Sequence, residues 1–362
     1  MKTNKRILIA TGGTGGHVFP AYSLAKHFIK NDYFVKITTD KRGLNYLKDY
    51  SEIKIKTISS TTPFNKNLLS SFFSFFILAY AFVQSLVFLS RYKPNVVFGM
   101  GGYASFPVCI AAKFLRIPFL TYENNLFIGK TNKYLLPFTY KMFVSYSELE
   151  GVNQKYKSKI AVVGNIIREE ILNYNQNKNN SYDGSLNILI LGGSQAAKSF
   201  AEKLPEVFKR CLSENIQLRI FQQCLKSQNK KLEEEYISLK IDHEIFNFSH
   251  SILNYFSKVD LVITRSGSSI LAELLNCNIP IISVPLPSSA DNHQLKNANF
   301  FEKKGYSFLV EEKEIEKKLF PLIKSIHEDK EMLNQMKKKQ NNYSDRNIFK
   351  NINSQINDLI ND

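Results

Sequence analysis

Three glycine-rich turns, each placed where an apolar strand-like run hands over to a helical pattern, constrain this chain more than any other feature. GGTGGH fills residues 12–17 after the run 6–11, GMGGY fills 99–103 after 96–98, and GGSQ fills 192–195 after 188–191. Glycine lets backbone N–H groups come close to an anion, and the helix that follows turns its positive dipole end toward it. A single turn of this kind is ordinary. Three of them, spread over two halves of one chain, predict two mononucleotide-type domains and a shared ligand that carries phosphate.

The rest of the chain follows the same α/β rhythm. Further strand-like runs fall at 34–40, 53–59, 119–123, 141–145 and 160–163, and the pattern restarts at 187–191 with 217–223, 244–248, 261–264, 280–284 and 307–310. Short apolar runs alternating with helical stretches predict parallel sheets, with ligand bound where loops leave the strand C-termini. An Asn-rich polar stretch at 173–180 precedes the restart, which predicts domains over 1–165 and 166–340 and leaves a C-terminal helix in 341–362. A chain of 362 residues has room for both cores.

Charge is distributed unevenly. Residues 1–165 carry 22 Lys and Arg against 7 Asp and Glu, whereas the remainder carries 26 against 25. A basic half attracts nucleic acid or an anionic membrane. Residues 68–90 (LLSSFFSFFILAYAFVQSLVFLS) hold no charge at all and decide for the membrane. The segment is long enough to span a bilayer, but strand patterns on both sides put it inside a repeat that spanning would break. A sheet-covering helix needs one apolar face, and this one is apolar nearly all round. We expect its outer face to meet the bilayer interface; burial against a partner and a true span are the alternatives. The four cysteines show neither CxxC pairing nor zinc-ligand spacing and read as reduced packing residues. No apolar leader precedes the first strand run, which favours a cytoplasmic location.

The candidate chemistry lies in the loops. His17, just beyond the first glycine loop, is a general base for a hydroxyl nucleophile, or a helix-start histidine with only local bonds. Glu123 closes its strand ahead of Asn124 and Asn125, a set that suits a polyhydroxylated ligand or a helix cap. Arg168 offers a planar fork for phosphate. The turn RSGSS at 265–269, containing Ser266 and Gly267, opens a helix on which Glu273 can accept two ribose hydroxyls. A polar cluster ending in His293 and Gln294 suits sugar hydroxyls, with Asn297 one turn on. Missing are an Asp-x-Asp motif for a metal on a diphosphate, a P-loop, and the GxGxxG dinucleotide fingerprint.

Taken together, GGTGGHVFPA at 12–21, FGMGGYASFP at 98–107, YENN at 122–125, GNIIR at 164–168, LGGSQ at 191–195 and RSGSSILAELL at 265–275 resemble the MurG family. These are bacterial transferases that move N-acetylglucosamine from UDP-N-acetylglucosamine to undecaprenyl-pyrophosphoryl-N-acetylmuramoyl-pentapeptide, lipid I, giving lipid II. The resemblance implies a GT-B fold, two Rossmann-like domains flanking a ligand cleft, with the last helix crossing back onto the first domain. It implies that Thr14, Gly15, Gly16 and His17, with Gly102 and Tyr103 of the second loop, face the acceptor, and that Glu123 and Asn125 line its side or orient His17. Arg168, Gly193, Ser194 and Gln195 would hold the donor nucleotide, Ser249 the base through its backbone, and Ser266, Gly267 and Glu273 the phosphates and ribose. His293 and Gln294 would meet the transferred sugar.

It further implies peptidoglycan synthesis at the cytoplasmic face of the inner membrane, peripheral attachment through 68–90 and the basic half, and contacts with other cell-wall enzymes. No nucleic acid is expected, and no cofactor is required, a divalent cation being at most a non-essential stimulant. Four departures stand out: Ala196 where glycine is usual, YENN for the commoner HEQN, Ser249 for isoleucine, and Ile166 for proline, which is expected to loosen the interdomain turn. Inversion in one displacement needs no covalent intermediate, which suits a chain without an activated Ser or Cys. His17 is the expected base, with Glu123 as the alternative. Rival readings are a transferase for another glycolipid or a soluble aglycone, a non-catalytic sugar-nucleotide-binding protein at the membrane and, weakest, an oxidoreductase.

Overall fold

The computed structural model describes residues 5–48, 50, 52–60, 68–174, 184–247, 249 and 251–361. The chain divides into two compact units, Met1–Glu169 with Asp345–Asp362, and Glu170–Ser344. Most of the 173–180 stretch lies outside the described residues.

The first unit runs β1 (Arg6–Ala10), α1 (Gly15–Lys30), β2 (Phe34–Thr39), α2 (Lys41–Leu47), β3 (Lys54–Thr57), α3 (Leu68–Tyr92), β4 (Val96–Gly99), α4 (Ser105–Phe114), β5 (Phe119–Glu123), α5 (Lys130–Leu135), β6 (Met142–Val144) and β7 (Ile160–Val162). Its seven strands pair in parallel in the order β3-β2-β1-β4-β5-β6-β7. The central strands are buried on both faces, as Ile7, Leu8, Ile9, Val96, Val97 and Phe98 attest, and this explains why they read as unbroken apolar runs. The order reverses between β1 and β4, so the first two glycine loops leave adjacent strand ends at the switch point, where such sheets bind ligand.

α3 lies along this sheet between two of its strands. Ser74, Ala81, Ser85, Leu89 and Tyr92 form its buried stripe, and Ala81, Leu89 and Tyr92 pack in one cluster with Val108, Cys109 and Ala112 of α4. Small residues on the inner side let the two helices approach closely. On the other side Phe75, Phe76, Ile77, Tyr80, Val83 and Val87 stand exposed, Phe75 at 67%. Ser74–Tyr92 is long and apolar enough to cross a membrane, and only 22% of it is buried.

The second unit begins with α6 (Glu169–Leu172), whose first residue belongs to the first unit. It continues β8 (Leu186–Leu191), α7 (Gly193–Ser213), β9 (Leu218–Gln223), α8 (Asn229–Ser238), β10 (Asp242–Phe246), α9 (Leu253–Phe256), β11 (Leu261–Thr264), α10 (Ser268–Asn276), β12 (Ile281–Ser283), α11 (His293–Lys304), β13 (Phe308–Leu309), α12 (Phe320–Glu328) and α13 (Glu331–Gln340). The six strands are again parallel, in the order β10-β9-β8-β11-β12-β13. Here too the reversal, between β8 and β11, falls at two candidate turns, the third glycine turn and the one after β11. All four cysteines are buried and none forms a disulfide.

The last helix, α14 (Ile348–Asn361), belongs to the first unit. The Phe349 ring stacks on His27 of α1 at 4.3 Å, and Lys141 Nζ donates to Gln355 Oε1 at 2.6 Å. Burial at this contact lowers the His27 pKa below its ordinary value, against the opposing hydrogen bond that His27 donates to Asn353 Oδ1.

Candidate active site

In the first unit the two glycine loops interlock. A Cβ on Gly102, which has φ +75°, would sit 2.4 Å from the Gly12 carbonyl oxygen, and one on Gly12 would sit 2.7 Å from the Ala104 Cβ. A Cβ on Gly101 would lie 2.8 Å from His17 Nδ1, so the His17 ring rests directly over Gly101. These glycines are required first by each other. The contact carries His17, half-buried in the first turn of α1, to the mouth of the second loop, beside Gly102 and half-buried Tyr103. Thr14 is the exposed N-cap of α1, and its hydroxyl makes no capping bond.

The end of β5 closes the site from the side. Asn124 Nδ2 donates to the Gly16 carbonyl at 3.1 Å. Glu123 is buried, and both of its oxygens accept from its own loop. Oε1 takes the Asn125 backbone and side-chain amides at 3.1 and 3.0 Å, and Oε2 takes the Gly129 backbone amide and Asn132 Nδ2 at 2.8 and 2.9 Å. Asn125 is folded onto that carboxylate, and Asn132 was not foreseen from the sequence.

Asp40, at the end of β2, was also missed. Oδ1 accepts from Gly43 N at 2.7 Å, capping α2, and from Gly13 N at 3.1 Å in the first loop. Burial pushes its carboxyl up, but those two amides, the Arg42 charge and the Ser60 hydroxyl together hold it below the ordinary value. The visible signal was its position, an acid directly before a helix and next to the strand that carries the glycine loop.

In the second unit polar side chains join the turns. Gln294 Oε1 accepts from Ser266 N at 3.2 Å and from Leu286 N at 3.0 Å, and Asn297 Nδ2 donates to the Ser266 carbonyl at 3.1 Å. Ser266 is buried and Gly267 is the N-cap of α10, with Glu273 half-buried in the second turn. A Cβ on Gly267 would have only Ile270 Cγ2 near it, at 3.9 Å, and one on Gly193 would meet nothing within 4 Å, although Gly193 has φ +65°. His293 is half-buried and its Nδ1 lies 2.7 Å from the Ala290 carbonyl. The Ser249 hydroxyl accepts from Ser251 N at 3.2 Å. The side chains of Ser194, Gln195 and Ala196 lie outside the described residues.

Arg265 is the hidden brace of this unit. It is buried, donates to the Val284 and Pro285 carbonyls at 3.2 and 3.3 Å and to Ser199 Oγ at 2.7 Å, pairs with Glu312, and lies over the Phe200 ring. Burial raises the Glu312 carboxyl, yet the hydrogen bond and charge of Arg265 outweigh it and leave the group below its ordinary value.

Arg168 is half-buried in the segment that leaves the first unit. The turn before it is tied, not loosened. The Ile166 N–H, which a proline would lack, donates to Tyr122 Oη at 2.9 Å, and Asn165 N donates to Asp345 Oδ1 at 2.8 Å. The Tyr of YENN and the Ile of GNIIR thus satisfy each other. Among the described residues no group of three or more His, Cys, Asp and Glu is placed to hold a metal ion.

Comparison with known proteins agrees with this architecture. The glycosyltransferase family 28 N-terminal domain matches residues 7–144 and the family 28 C-terminal domain matches 187–356. A UDP-N-acetylglucosamine--N-acetylmuramyl-(pentapeptide) pyrophosphoryl-undecaprenol N-acetylglucosamine transferase of Pelagibacter ubique is 36% identical over 361 residues, covering 99% of both chains. The Rickettsia bellii protein of the same name is 33% identical, over 88% of this chain and 91% of that one. The crystal structure of Acinetobacter baumannii MurG superposes with a TM-score of 0.76 at 25% identity over 99% of both chains. The Staphylococcus aureus MnaA–UDP structure, 18% identical with a TM-score of 0.69 over 99% of this chain and 98% of that one, shares the fold. With two parallel-sheet units, paired turns at both switch points and relatives matched from end to end, the chain belongs to glycosyltransferase family 28 and, within it, to the MurG family of GT-B glycosyltransferases.

Proposed function

We propose that this chain transfers N-acetylglucosamine from UDP-N-acetylglucosamine to the muramoyl 4-hydroxyl of undecaprenyl-pyrophosphoryl-MurNAc-pentapeptide, with inversion, yielding lipid II and UDP in peptidoglycan synthesis. The observation that carries the reading is the match to transferases of that name along 99% of both chains. The site geometry supports it. His17, held over Gly101 at the switch point of the first unit, takes the proton from the acceptor hydroxyl as the new C–O bond forms and the bond to UDP breaks. Glu123, with both oxygens already accepting hydrogen bonds, organises the loop and is not the base. In the second unit the amides at the start of α7 and α10 stabilise the departing diphosphate, Glu273 takes the ribose, and Gln294 meets the sugar; the Arg168 guanidinium, in the segment that leaves the first unit, offers a fork for phosphate. Neither metal nor other cofactor is required in this reading, and a divalent cation acts at most as a stimulant.

The same reading puts the protein peripherally on the cytoplasmic face of the inner membrane. The exposed row of Phe75, Phe76, Tyr80, Val83 and Val87 on α3, with Phe114 beside Phe82, gives an apolar face. The 22-to-7 excess of basic residues over 1–165 supplies attraction to anionic lipid. The test is UDP release from UDP-N-acetylglucosamine with and without a lipid I analogue, UDP-glucose and UDP-N-acetylgalactosamine running alongside. Release that requires both the acceptor and the N-acetylglucosamine donor is expected. UDP binding without any release would return the chain to a binding role.

A further inference from the structure

Nothing above gives Arg42 a task beyond its charge on Asp40, yet it stands at the rim of the first glycine loop. It lies in the first turn of α2, following β2, which pairs directly with β1. Its side chain is 65% exposed. Its contacts with Asp40 Oδ2 are long, 3.4 Å from Nε and 3.3 Å from Nη2. Nη2 is the nearest atom, at 4.0 Å, to where a Cβ on Gly13 would be, so the guanidinium borders the open space beside that residue. A guanidinium has five N–H donors in a fixed fork, and Asp40 engages two of them weakly.

Asp40 makes the arrangement chemically necessary. Its Oδ1 occupies the Gly13 N–H, one of the donors an anion at this loop would otherwise use. The same carboxylate, held below its ordinary pKa by the contacts around it, is a fixed negative charge that repels a diphosphate. A cation anchored on that carboxylate cancels the repulsion and replaces the lost donor with stronger, charge-assisted ones. Lysine, a point charge on a flexible stem, would not be aimed in the same way.

We infer that Arg42 is a diphosphate-binding residue on the acceptor side, positioned by Asp40 to meet the pyrophosphate of the lipid-linked acceptor at the first glycine loop. This rests on the acceptor assignment proposed above. The test compares Arg42→Gln and Arg42→Lys with the wild-type full-length protein in two assays. In steady-state turnover with a lipid I analogue, Arg42→Gln should raise the acceptor KM by about tenfold, the loss expected for one charge-assisted contact, while the donor KM stays within about twofold. Arg42→Lys should fall between the two. In calorimetric titration with inorganic pyrophosphate, Arg42→Gln should weaken binding by a similar factor.

An acceptor KM that does not move, or equal rises in both KM values, would overturn the inference, the latter marking a merely structural residue. If the wild type fails to turn over this acceptor, the functional reading falls by itself. The pyrophosphate titration then decides on Arg42 alone, and unchanged binding in Arg42→Gln would refute it.

Discussion

The two units share one plan, a parallel sheet with two turns at its switch point, but hold those turns in opposite ways. In the first unit the loops meet directly, the Gly102 backbone against that of Gly12 and Gly101 against the His17 ring, so a Cβ on either Gly101 or Gly102 has no room. In the second, side chains tie the turn after β11 to its neighbours, Gln294 between Ser266 and Leu286, Asn297 to Ser266, and Arg265 to Val284, Pro285 and Ser199. The first design fixes the His17 side chain against the backbone of the second loop. The second leaves Gly193 and Gly267 facing open space, as a turn needs if a ligand's phosphates are to approach its amides.

The contrast is broken most forcefully at Gly102. Gly102→Ala forces a Cβ to 2.4 Å from a carbonyl at φ +75°, and both strain and overpacking apply. Denaturant unfolding should show a loss of about 3 kcal/mol or more, with turnover abolished. Next is Arg265→Met, which strands Glu312 and frees the segment at Val284 and Pro285. Removing one partner of a buried pair costs roughly 3 kcal/mol, and the donor KM should rise before the acceptor KM does.

A smaller effect separates the units by pH. Asp40 in the first and Glu312 in the second both have folded-state values depressed below their ordinary 3.8 and 4.5. Each contributes stability that is present above those ordinary values and lost as pH falls through the lower folded-state values. Urea midpoints followed downward from neutral pH should therefore fall in acid, less steeply in Asp40→Asn and in Glu312→Gln. The smallest effect on stability belongs to Gly267→Ala. Its Cβ would have one neighbour at 3.9 Å, so unfolding should stay within about 0.5 kcal/mol of wild type while the donor KM rises. A large loss of stability there would mean that the second unit is interlocked like the first.

The sheets were legible because buried parallel strands are continuous apolar runs, and every strand expected from the sequence forms, mostly within two residues of its expected ends. Residues 119–123 and 261–264 become β5 and β11 unchanged. The glycine turns were legible because strand, glycine and helix follow one another directly along the chain. What escaped was whatever joins one turn to another. Asp40 reaching Gly13, Arg265 reaching Glu312, and Tyr122 receiving the Ile166 amide are contacts across 27, 47 and 44 positions, and no local pattern encodes them. Glu123 is the instructive case. A carboxylate at a strand end reads as chemistry from the sequence, which gives no sign that Asn125, Gly129 and Asn132 donate to its oxygens.

The central claim is that the interlocked loops of the first unit exist to hold His17 as a base. Single-turnover transfer from UDP-N-acetylglucosamine to a lipid I analogue by His17→Ala tests it most directly. The account predicts a chemical step slowed by about 10²–10⁴, with the donor KM and melting temperature close to wild type. An unchanged rate of transfer would contradict it and send the search for the base to another group.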